Sequence, residues 1–245
     1  MKFILIFISQ TYAMKQKLLA PFLVIIASSA LSHSVHAQSA TAPTNAAAPQ
    51  NSYTPWSPIK EQDILWRKRI WRDVPVTDKK QTALVAGDNK DLSLTDVLLH
   101  EAKNGNITLY SPVNDRFTTT LSYSDLTANI NQLPLTHTVK DPSGNTYHEC
   151  LTADQLNQAI VRFKIKEDWL SVKDSKKITV RILGIAPVVL VTNTDGTTTE
   201  QPLFWAYYPD NRAILSQYTV PTQNISWDSF FENRKFSSEI TKMVE

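Results

Sequence analysis

The sequence predicts an α+β fold: a mostly antiparallel sheet with several hairpins, flanking helices and a C-terminal amphipathic helix. Three observations carry that reading. ITVRILGIAPVVLV (residues 178–191) and PLFWAYYPDNRAIL (residues 202–215) are apolar, strand-forming blocks separated by a polar run around Asp195-Gly196, so they read as a long hairpin. THTVK and TYHECL flank Asp141-Pro142-Ser143-Gly144-Asn145, a turn sequence, which makes 136–151 a second hairpin. Helix-capping signals fall between the strands only intermittently, without the regular alternation of a parallel βαβ sheet.

The elements follow in chain order. Met14-Lys15-Gln16-Lys17, then apolar Leu18 to Ala30, then Val35-His36-Ala37 read as a secretory signal over residues 1–37, with Met14 an alternative start. Neither apolar run of this leader reaches the roughly 18 residues of a spanning helix, so the mature chain is expected to be exported and soluble. Residues 38–57 are Ala, Thr, Pro, Ser, Gln and Asn with little else, a composition that reads as a disordered arm; residues 58–245 read as a single domain. Ser57-Pro58 looks like a helix start. Over residues 63–74, Trp66, Ile70 and Trp71 have helical spacing with Arg67, Lys68, Arg69 and Arg72 between them, and a strand is the alternative.

Ser93 and Asp96 open a helix that runs to Lys103, with Gly105 as its C-terminal cap. ITLY (107–110) and RFTTTLSY (116–123) are short strands, and Ser124-Asp125 caps a helix to about Leu133. Thr152 with Gln155 opens another to about Ile160, and VRFKIK alternates as a strand from Val161 to Lys166. Asp210 starts a short helix to Gln217. Ser226 to Val244 reads as one amphipathic helix using Phe230, Phe231, Phe236, Ile240 and Met243.

Composition excludes several functions. The net charge of +2 becomes −1 without Lys2, Lys15 and Lys17, leaving no nucleic-acid surface. Five glycines cannot write a phosphate-binding loop or a GxSxG elbow. Cys150 is the single cysteine, so there is no intrachain disulfide and no lipid-modified cysteine at the cleavage site; a buried thiol is the commoner state for such a residue. Any membrane attachment must therefore go through a partner, without direct insertion.

Candidate chemistry is sparse. His137, His148 and Cys150 sit on the arms of one hairpin, but their spacing matches no zinc pattern, and ordinary sheet-surface residues are the alternative. His100-Glu101 starts like HExxH, yet residue 104 is Asn. Glu167 and Asp168 read as a paired acid site or as solvated acids at a strand end. No catalytic residue, metal ligand or cofactor is assigned. Trp66, Arg69, Trp71 and Arg72, with Trp205 and Tyr207 of the aromatic block, are the candidate partner-docking residues, because Trp, Tyr and Arg dominate binding hot spots.

DILWRKRIWRD, IVRFKIKEDWL, ITVRILGIAPV, PLFWAYYPDNRAIL and SWDSFFENRKFSSEITK occur in this order. The series resembles the GldN family, also called PorN, of the type IX secretion system of Bacteroidetes, over about residues 60–245. The resemblance implies a non-enzymatic periplasmic subunit. It would self-associate in a ring with a GldK/PorK-like outer-membrane lipoprotein beneath the outer membrane, contacting the GldL/GldM-like inner-membrane motor. A periplasmic hydrolase or small-ligand-binding protein is the alternative reading, with attachment to peptidoglycan through the aromatics a third.

Overall fold

A computed structural model describes residues 53–245. The leader and most of the arm expected from the sequence lie outside those residues. The described chain contains ten strands and five α-helices: β1 (Ile64–Pro75), α1 (Leu94–Lys103), β2 (Leu109–Tyr110), β3 (Thr120–Leu121), α2 (Tyr123–Gln132), β4 (Thr136–Lys140), β5 (Thr146–Cys150), α3 (Leu156–Ala159), β6 (Ile160–Val172), β7 (Thr179–Thr192), β8 (Thr198–Pro202), β9 (Trp205–Tyr207), α4 (Tyr208–Leu215), α5 (Trp227–Glu232) and β10 (Glu239–Val244).

Eight strands form one antiparallel sheet in the order β10-β1-β6-β7-β9-β2-β3, with β8 also paired to β7. Strands β4 and β5 make a separate two-stranded sheet across the expected turn, where Gly144 adopts a φ of +88° that a β-carbon would disfavour. The core lies between sheet residues such as Phe163, Ile165, Ile182 and Ile185 and the helical residues Val97, Leu98, Leu126, Leu215, Phe230 and Phe231.

Local signals translate directly into structure where the cap and its target lie within a few residues. The Ser93 hydroxyl accepts from the Asp96 amide and starts α1, and Thr152 and Gln155 form the expected capping box. In α2 the cap is Ser122, two residues before the expected one, and it accepts from the Asp125 amide.

Four expectations are corrected. Residues 57–60 start no helix; a 3-10 turn at Glu61–Asp63 leads into β1, so the helical spacing of Trp66, Ile70 and Trp71 is realised as a strand. The hairpin partner of β7 across Asp195-Gly196 is β8, whereas the aromatic block forms only the three residues of β9 before turning into α4 at Tyr208. The closing helix ends at Glu232, and Glu239–Val244 is a strand on β1. Ile240 and Met243 are thereby 45% and 47% exposed rather than packed as a helical stripe. The physical reason is shared: helix and strand patterns overlap in short apolar runs, and the pairing edge of a distant strand decides between them. Cys150, expected to be buried, is exposed at the end of β5.

Candidate functional site

Strand alternation splits the basic-aromatic segment across the sheet. On β1, Trp66, Lys68, Ile70, Arg72 and Val74 share one face; Arg67, Arg69, Trp71 and Asp73 share the other. The six candidate residues therefore do not form a single surface. Trp66 and Arg72 lie on the face that carries the core, whereas Arg69 and Trp71 lie on the opposite face with Tyr207 and Trp205 of β9.

That opposite face is covered by the loop between β2 and β3. Phe117 adopts a φ of +57° and lays its ring over Gly184, where a β-carbon would come within 2.5 Å of it. Its neighbours are Tyr110, Trp205 and Tyr207, with ring centroids 5.8, 5.9 and 5.1 Å away. Trp205 is only 4% exposed beneath this plug, so its side chain packs internally. Charges flanking the plug neutralise one another. Arg69 donates twice to Asp168, at 2.8 and 3.0 Å, which raises its pKa above the ordinary arginine value. Lys166 pairs with Asp115 at 3.1 Å, and the Trp71 indole donates to the same carboxylate at 2.6 Å.

Beside the plug is a cavity of about 510 Å³ lined by Arg69, Arg116, Lys166, Asp168, Tyr207 and Asp210, among others. Burial, and then the nearby Asp210 carboxylate, push the Tyr207 hydroxyl up, the direction opposite to an activated nucleophile.

The other face has a different character at its β10 edge. Glu167, fully buried, accepts from Arg72 at 2.5 Å, from Arg234 at 3.0 Å and from the Trp169 indole at 2.9 Å. The Arg72 guanidinium lies 5.6 Å from the Trp169 ring, and Lys68 lies 5.9 Å from the Trp66 ring. Glu167 and Asp168 are thus neither a paired acid site nor solvated turn residues. They sit in mid-strand, point to opposite faces and each neutralise arginines of β1.

Outward from this ion cluster the surface becomes apolar. Trp66 on β1 is 39% exposed, and Ile240 and Met243 on β10 are exposed on the same face. β1 register places Met243 opposite Ile70 and Ile240 opposite Arg72, on the same face as Trp66. Ile240, Met243 and Trp169 went unrecognised in the sequence as surface residues. Pairing of β10 with β1 puts Ile240 and Met243 on the Trp66 face, pairing of β6 with β1 sets Trp169 opposite Lys68, and no local pattern encodes either pairing.

The histidines stay apart. His137 faces Glu149 at 3.0 Å and His148 faces Thr138 at 3.4 Å, so the two rings belong to different cross-strand pairs. Among the described residues, no group of three or more His, Cys, Asp or Glu is arranged to hold a metal ion. Among the same residues, no helix is long and apolar enough to cross a membrane.

The family described as gliding motility associated protein GldN matches residues 59–245 of the chain. No curated protein matches it.

Proposed function

The chain belongs to the GldN family of gliding motility associated proteins, and from that premise we propose that it is a non-enzymatic structural subunit of the type IX secretion and gliding machinery. In this reading it resides in the periplasm at the inner face of the outer membrane. A GldK/PorK-like lipoprotein holds it there in a ring, and GldL/GldM-like motor proteins contact it from the inner membrane. Trp66 and Arg72 serve docking on one face and Arg69 and Trp71 on the other, with Tyr207 at the margin of that second face; the internal packing of Trp205 gives it a supporting role.

One observation carries the docking reading. Trp66 on β1 and Ile240 and Met243 on β10 are exposed large hydrophobic side chains on the face that also holds the Arg72–Glu167 pair. A large aromatic, two other large apolar side chains and an arginine on one sheet face have the residue types of an interface centre. The charges below are already neutralised, so covering the edge desolvates few unpaired ions.

The test is recovery of the tagged protein from detergent-solubilised envelope. The lipoprotein should co-purify with the wild type and be lost with Trp66→Ala combined with Met243→Ser, while the circular dichroism spectrum is unchanged. A wild-type preparation containing no lipoprotein overturns the reading.

A further inference from the structure

The cavity beside the Phe117 plug holds two charges that neither the fold nor the docking surface uses. Three cations and two carboxylates line it. Three of these five groups are already paired. Arg69 bonds twice to Asp168. Lys166 pairs with the Asp115 carboxylate and also donates to the Asp115 carbonyl at 2.6 Å. Lys166 and Asp168 are 4% and 7% exposed, so the paired charges belong to the buried side of the cavity. Arg116 and Asp210 remain. Both are exposed, and among the described residues neither side chain has a hydrogen bond or an ion pair, with the other or with any third group.

Both unpaired charges ride on fixed backbone. The Arg116 amide donates to Asn114 at 3.0 Å, and the next residue is Phe117, held by its left-handed φ and by its ring contacts. Asp210 lies in the first turn of α4. The rest of the lining is Leu183 with the rings of Tyr110, Phe117 and Tyr207. The volume of about 510 Å³ falls in the range of roughly 300–1,000 Å³ found for small-molecule pockets. An anion would satisfy Arg116 but bring like charge towards Asp210, and a cation would do the reverse. Only a molecule carrying both signs satisfies both groups, and an aromatic body matches the rings.

We propose that this cavity binds a small zwitterion with an aromatic body, of which an aromatic amino acid is the smallest example. Its carboxylate pairs with Arg116 and its ammonium group with Asp210, while its ring lies against Tyr110, Phe117 and Tyr207. The paired charges on the buried side contribute no net charge, so the two free groups set the selectivity. The site opens on the sheet face opposite Trp66, Ile240 and Met243. It requires no partner protein and does not rest on the proposed function.

The test titrates the full chain with L-phenylalanine and with two analogues that each lack one charge. Phenethylamine lacks the carboxylate and 3-phenylpropionate lacks the ammonium group. Binding is followed by calorimetry and by ligand-observed saturation-transfer NMR. Phenylalanine should bind about tenfold or more tightly than either analogue, because each added charge brings a charge-assisted hydrogen bond. Arg116→Ala should lower its affinity to that of phenethylamine, and Asp210→Ala to that of phenylpropionate. Both positions are exposed, so the fold should persist, and circular dichroism checks that it does. Absence of phenylalanine binding overturns the proposal. Equal binding of the three compounds overturns it too, as does unchanged affinity in the Arg116→Ala, Asp210→Ala double variant. Each of these failures leaves lipoprotein co-purification untouched, so the two readings fall separately.

Discussion

Trp227, Phe230, Phe231 and Tyr208 are between 0 and 1% exposed around α4 and α5, whereas Trp66 on β1 is 39% exposed. Both regions combine large aromatics with arginine. In the first, rings meet edge to face at 5.3 to 5.7 Å, and its one fully buried arginine, Arg212, is bonded to Asp228. In the second, Arg67, Lys68, Arg69 and Arg72 crowd one strand. That density forbids full burial: two of the four cations are answered by the exposed acids Glu61 and Glu245, whose geometry needs solvent nearby. The difference teaches that the number of charges per aromatic decides whether such a cluster becomes interior or surface.

Removing Asp228 attacks the comparison where it is strongest. Asp228→Ala leaves the buried Arg212 and the Tyr208 hydroxyl with the longer contacts to Glu232, at 3.3 Å each, as their only carboxylate partners, which should destabilise the domain by about 3 kcal/mol in urea denaturation. A loss no larger than that of a surface substitution would mean that the α4–α5 ion pair is as solvated as those of β1.

Gly184→Ala is next. The new methyl displaces the Phe117 ring, so a cost of about 1–3 kcal/mol is expected, with greater proteolytic sensitivity in the loop from Ser111 to Thr119. An unaffected midpoint would show that Phe117 is not a fixed plug.

The helical side of the domain also has a pH signature, carried by Glu101 and Tyr218. Glu101 accepts from the Tyr218 hydroxyl and from Asn106, which lowers its carboxyl below the ordinary value. A depressed folded pKa gives stability that is present above the unfolded carboxylate pKa of about 4.3 and is lost as pH falls through the folded value. Burial and then Glu101 push Tyr218 up to about 12. A raised folded pKa gives stability that is complete below the unfolded tyrosine value of about 10 and erodes as pH climbs through the folded one. Glu101→Gln should flatten both ends of the curve of denaturation midpoint against pH; an unchanged acid limb would remove Glu101 from the account.

The smallest effect on stability belongs to the exposed side. Trp66→Ala should shift the unfolding free energy by less than about 1 kcal/mol while weakening lipoprotein capture. Destabilisation on the scale of Asp228→Ala would identify Trp66 as interior and remove the contrast.

Much of the fold was legible. The hairpin at 136–151, helix α1 with its Ser93 cap, the Thr152–Gln155 box and strand β6 could all be read because each signal acts within a few residues of its target. The candidate site was only half legible. Its residue types stood out, but helical spacing joined Trp66 to Trp71 where the strand sets them on opposite faces. The densest aromatic block, 204–208, attracted a docking assignment, yet Phe204, Trp205 and Tyr208 are interior.

The amino-acid sequence by itself determined the hairpin at 136–151, the cap of α1, the capping box before α3, the lack of a recognisable catalytic motif and the family resemblance, because each is written in local chemistry or in the order of motifs. Tertiary structure alone decided that residues 64–75 and 239–244 are strands and that they pair. It also decided that Glu167 and Asp168 serve different faces and that Trp56 packs against Arg181 and Arg212. Those outcomes depend on partners roughly 100 or more residues away, as Arg69–Asp168 and Trp56–Glu232 do. In such pairings the free energy comes from surfaces that meet only after the chain has folded, so no window of sequence contains it.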